Sequence, residues 1–227
     1  TDFNYQEMRQ LDATLEKNRA AHRLALFEGG HEWPPASVAR EAVEWLEALA
    51  MKSGLRPRDE KMAAELYGRD LARVERLEAS GDAASAFILA ERIAADFEGL
   101  VPVDRAKEAA ARLREKARKP IEEALRRDAR ERAAVDRVLG LFNESLAALP
   151  PPPSATVARR LDIPTLLKQA ASGDPEERLS ARRVMENLYV QAAFYRPTSF
   201  LAAKEPVGAA LSLEIAVLLK PERPAAW

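Results

Sequence analysis

His31 and Asp2 are the residues whose types and spacing could carry chemistry in this chain. His31 is one of only two histidines and stands in "FEGGHEWPP", residues 27 to 35, after a glycine pair and just before Trp33 and two prolines. An imidazole in a loop at a strand end can serve as a general base. It takes a proton from a serine hydroxyl while a carboxylate from another loop holds its second nitrogen. Asp2 is the candidate carboxylate and His31 the candidate base, with Trp33 a candidate wall of the substrate pocket. Glu32 follows His31, but no second histidine stands four residues on, so the pair does not make a zinc helix. The chain has no cysteine, which excludes thiolate nucleophiles, disulfides and cysteine-ligated metals. No metal or cofactor is expected. His22 lacks a glycine turn and reads as a strand-edge or surface residue.

For Asp2 and His31 to meet, the residues between them must form one helix and one strand, which puts both at the same edge of a parallel sheet. Asn4, with Glu7 three residues on, reads as a helix start, and Tyr5, Met8, Leu11 and Leu15 follow at helical spacing. "HRLALFE", residues 22 to 28, is a short apolar run ended by Gly29-Gly30 and reads as a buried strand. After Pro34-Pro35, the positions Val38, Ala42, Trp45, Leu46 and Leu49 make one face of a helix stopped by Gly54 and Pro57. Everything beyond residue 58 reads as helix. Asp59 opens one to about Ser80, "SGD" turns the chain into another through Phe97, and Asp104 caps a third to Lys119, where Pro120 either kinks it or begins the next. Val135, Leu139, Phe142, Leu146 and Leu149 form a narrow packing stripe. "PPPPS" at 150 to 154 is a stiff break, followed by helices near 163 to 171 and 175 to 194 and a last one ending near Lys220. The expected class is mainly α: a short α/β segment over 1–54, a helical region over 59–149, a proline-rich linker over 150–162 and a repeat-like helical region over 163–227.

The first segment resembles the α/β-hydrolase family, its esterase and depolymerase-like members in particular. "TDFNYQEMRQLD" and "FEGGHEWPP" look like the acid loop and the Gly-Gly-His-x-Trp loop at the end of that fold, over roughly residues 1 to 52. The resemblance implies a serine hydrolase of ester or amide bonds, with Asp2 as triad acid and His31 as triad base. The family's Gly-x-Ser-x-Gly elbow is absent, so its nucleophile and oxyanion hole are expected upstream of Thr1 and the chain alone is expected to be an inactive fragment. The other end, "AALSLEIAVLLKPERPAAW", is similar to the second helix of a tetratricopeptide repeat running into the next repeat, with Ala209, Leu213, Ala216, Pro221 and Trp227 at the matching positions and Phe200 upstream. That resemblance implies a surface for a peptide or protein partner.

Composition narrows the function classes. A net charge of −1, with the basic residues of 105–137 interleaved with acids, argues against nucleic acid as the main partner. No apolar run approaches the roughly 20 residues of a membrane span. The compartment stays open. Two functions result, a serine hydrolase with an appended helical domain, or a non-enzymatic helical module that binds a peptide or partner protein.

Overall fold

The computed structural model describes residues 2–27, 29 and 32–222. Its elements are helices: α1 (Tyr5–Lys17), α2 (Ala36–Lys52), α3 (Glu60–Ala79), α4 (Ala83–Phe97), α5 (Asp104–Ala147), α6 (Ser154–Arg160), α7 (Ile163–Ala170), α8 (Pro175–Val190), a π-turn (Gln191–Tyr195), α9 (Arg196–Ala202) and α10 (Pro206–Leu219). Among the described residues the only β feature is an isolated bridge between Glu98 and Val101. This corrects the expected α/β segment and with it the α/β-hydrolase resemblance. Residues 22–27 of the apolar run are irregular coil, not a strand, and Glu28 lies outside the described residues. A strand needs a neighbour to take its N–H and C=O groups. The described residues supply none.

The chain divides into two compact units, Pro34–Arg127 and Thr1–Trp33 with Asp128–Trp227. In the first, α3 and α4 begin where aspartates stand: Asp59 accepts from the Met62 N–H at 2.9 Å and Asp82 from the Ser85 N–H at 3.0 Å. Each satisfies a donor that the first helical turn leaves unpaired. Gly81, at φ +86°, makes the turn between them. Their buried faces are rich in alanine, with Ala63, Ala86 and Ala90 fully enclosed beside Val74 and Ile93, and α5 adds Ala106 and Leu113 to the same core. Small side chains let helices approach closely, and Tyr67 packs edge-on to Phe97 at 5.8 Å. The Tyr67 hydroxyl also accepts the Ala106 N–H near the start of α5. Outside this core, Arg112 pairs with Glu78 at 2.7 Å and Arg114 with Glu91 at 3.1 Å, so basic residues of α5 are partnered by acids of α3 and α4.

α5 is one helix of 44 residues with Pro120 inside it, not two. No residue from 118 to 130 is buried, and Asp128 near the end of this stretch is paired with Arg9 of α1. The last half of α5 enters the second unit, where Val138, Phe142, Val157, Leu161, Leu188, Ile215 and Leu219 form the core. Of the expected stripe on α5, Val135, Phe142 and Leu146 are buried, while Leu149 lies past the helix end and is 94 % exposed. Between α8 and α9 the chain continues through the π-turn because Pro197 has no N–H to donate and its ring crowds the preceding turn. A reversal at Lys204, with Glu205 N–H donating to the Phe200 carbonyl at 2.8 Å, then starts α10. Gly208 is required there, since a Cβ would come within 2.7 Å of the Phe200 ring.

Candidate functional site

Of the residues singled out for catalysis, His31 lies outside the described residues, as do Glu28 and Gly30. Asp2 is half-buried and accepts the Asn4 N–H at 3.0 Å, at the entry to α1. Trp33 is 94 % exposed on the coil before α2. His22, the second histidine, has Nδ1 2.8 Å from the Ala20 carbonyl, while Nε2, 3.2 Å from Asp12 Oδ1, is buried and makes no hydrogen bond to a described residue. So placed, the ring lies between α1 and the coil after it. Among the described residues no group of three or more potential ligands gathers to hold a metal.

The most elaborate polar arrangement of the second unit joins α1 to α5 and α8. Glu131 is buried, and Gln6 donates its Nε2–H to Glu131 Oε1 at 2.7 Å while Arg183 donates to Oε2 at 3.2 Å. The Arg183 guanidinium also sits over the Tyr5 ring, 4.0 Å from its centroid. One turn along, Arg9 pairs with Asp128 at 3.1 Å, and the Tyr5 hydroxyl lies 3.4 Å from the same carboxylate. Burial raises the Glu131 pKa above the ordinary carboxylate value, and it outweighs the opposing pull of Arg183 and the Gln6 hydrogen bond. Burial, followed by the nearby Asp128 charge, raises the Tyr5 phenol in the same way. These groups are paired with one another, except that Gln6 Oε1 is buried without a hydrogen bond to a described residue. The cluster holds α1 in place. The first unit has a shallow hollow between α3 and α5, but its charged walls are paired likewise, Arg105 with Glu75 at 3.1 Å.

α10 offers something different. Its fourteen residues include one charge, Glu214. Gly208, Ala209, Leu211, Ser212, Ile215, Ala216 and Leu219 are buried, which completes the inward face. Val207, Ala210, Glu214, Val217 and Leu218 share the opposite arc and are exposed, Val207 at 63 % and Val217 at 48 %. A surface helix ordinarily carries polar residues on that arc. Here it is an apolar ridge with one acid in the middle, and Glu214 forms no ion pair with any described residue. Lys220, at the C-terminal end, is held across to α8 by Glu186 and lies 4.2 Å from the Tyr189 ring centroid, which fixes how the ridge is presented. The ridge was legible in the sequence as a helix with a single charge. Reading only its small residues at repeat spacing missed it.

No family model, curated protein or solved structure matches this chain. The tetratricopeptide resemblance finds no support among these comparisons. The helices also lack a recurrent pair of constant length: 20 and 15 residues in α3 and α4 are followed by 44 in α5, and α8 passes into α9 without a turn between helices. Among the described residues no helix is long and apolar enough to cross a membrane.

Proposed function

We propose that this chain is a non-enzymatic helical module that binds a partner protein or peptide, and that α10 is the docking element. The observation that carries this reading is the exposed arc of α10, apolar at four of its five positions. An apolar ridge on a well-packed helix loses free energy to water until something covers it. The rest of the second unit supports the reading by what it does to α10. Phe200 against Gly208 at one end and Lys220 against Glu186 and Tyr189 at the other hold the ridge rigid, which lowers the ordering cost of binding.

Selection of a random-peptide display library on the full chain tests this. Enriched peptides are expected to bind the wild-type chain and to lose at least about tenfold in affinity on the Val217→Asp, Leu218→Asp double variant. The melt of that variant should be unchanged, because both side chains are exposed. No enrichment, or binding indifferent to the double variant, overturns the reading.

A further inference from the structure

Resting on that reading, we infer the chemistry of the partner: an amphipathic helix whose apolar face carries a lysine or arginine set against Glu214. The shape of the ridge points first to a helix. Val207, Ala210, Glu214, Val217 and Leu218 recur at spacings of three, four, three and one, a straight row along one helix, running about 16 Å at 1.5 Å per residue. The backbone N–H and C=O groups along α10 are already used within the helix, so an extended peptide would find no strand edge to extend. What remains is side-chain packing of ridge into groove, the way two helices meet. Ala210, the smallest side chain of the row, leaves a notch where a larger apolar side chain of the incoming helix can seat.

Glu214 then fixes the charge. It stands inside the row, with Val207 and Ala210 on one side and Val217 and Leu218 on the other, so a helix covering the ridge must desolvate it. A carboxylate removed from water without a partner is costly, and the described residues offer it no cation. Some exposed carboxylates are met by a neighbouring helix, Glu78 by Arg112 and Glu91 by Arg114, and Glu214 differs from the unpaired rest in standing inside an apolar row. The occupant has to bring the positive charge. A second copy paired through its own α10 does not. In an antiparallel pairing centred on the ridge, Glu214 falls within about one turn of the axis and meets its own symmetry mate. Like charges placed so are repulsive. Sliding the copies until Lys204 reaches Glu214 moves Val217 and Leu218 past the end of the partner's α10, which begins at Pro206.

The test uses a display library of amphipathic helices of constant apolar stripe, with the central stripe position randomised, selected on the full chain and on its Glu214→Lys variant. Clones from the wild-type chain are expected to carry lysine or arginine at the random position. Clones from the Glu214→Lys chain should carry aspartate or glutamate, and each set should bind its own target at least about tenfold better than the other. Helical clones that bind, and are lost on Val217→Asp, but show no charge preference or no exchange of it would overturn this inference while leaving the docking reading intact. Failure to enrich any clone sensitive to Val217→Asp would overturn both. Sedimentation showing a dimer that Val217→Asp dissociates would overturn the inference in favour of a second copy. Equally, gain of binding only after deletion of residues 223–227 would mean that the chain's own tail is the occupant, which also overturns it.

Discussion

Glu131 shows how a single residue sets the terms for its neighbourhood. Its carboxyl is buried, hydrogen-bonded by Gln6 and paired with Arg183, and the cost of burial still exceeds what those partners return, so its pKa is raised. The folded state therefore holds this proton to higher pH than the unfolded chain does. Stability from the protonated form is fully present below the unfolded carboxyl value, about 4.3, and fades as pH rises through the raised folded value. Replacing Glu131 with Gln removes that titration. In denaturant melts between about pH 4 and pH 7, the wild type should lose stability relative to Glu131→Gln as pH rises; a difference constant across the range would contradict the burial argument. Arg183→Ala tests the same pair from the other side. It strands a buried carboxylate and should cost about 3 kcal/mol, whereas adding Glu131→Gln to it should restore much of that loss, because no charge is then left unpaired.

At the scale of elements, the starts of α3 and α4 were legible locally, whereas Asn4 makes no side-chain cap on α1 and what depended on distant partners was not legible. Asp59 and Asp82 announce α3 and α4, and both do cap them. The row Tyr5, Met8, Leu11 and Leu15 also announces a helix, and α1 forms, but the face turned inward is a different one. Met8 and Leu11 are 41 % and 48 % exposed, while Gln6 is buried against a residue 125 positions away. Local periodicity cannot contain Glu131, Asp128 and Arg183, which decide that orientation. The apolar run at 22–28 failed for a related reason, since its pattern is that of a strand but pairing needs neighbours. The ridge of α10 was legible in composition alone, and the proposed role of Glu214 becomes visible only once the arc is known to be exposed. Pro120 gives this scale its prediction. It leaves one carbonyl of α5 without its helical donor, in a stretch where nothing is buried, so no packing compensates. Pro120→Ala should favour the local helix by up to about 3 kcal/mol. Amide exchange from Lys116 to Ala124 should slow markedly, with exchange in the cores of both units unchanged; unaltered exchange there would mean that the proline is already accommodated without strain.

For the whole molecule, the informative fact is that the two cores share no residue. Ala63, Val74, Ala90, Ile93 and Leu113 belong to one, and Phe142, Val157, Leu188, Ile215 and Leu219 to the other. α5 contributes to both, and between Ala117 and Glu131 it has no buried residue. Helix propensity alone is a weak link, worth tenths of a kcal/mol per residue. Cooperativity in a folded chain follows shared burial, and here burial stops at that stretch. Ile93 and Leu188 are each fully enclosed, and truncating either to alanine should cost about 2–5 kcal/mol by lost transfer energy and the cavity left behind. Ile93→Ala should accelerate amide exchange in α3, α4 and the first half of α5 and leave α7, α8 and α10 as they were. Leu188→Ala should do the reverse, and because α10 packs in that same core it should also weaken binding at the Val207–Leu218 ridge near the melting range, which Ile93→Ala should not. Equal acceleration of exchange throughout the chain by either variant would show a single cooperative unit, and the argument from separate burial would fail.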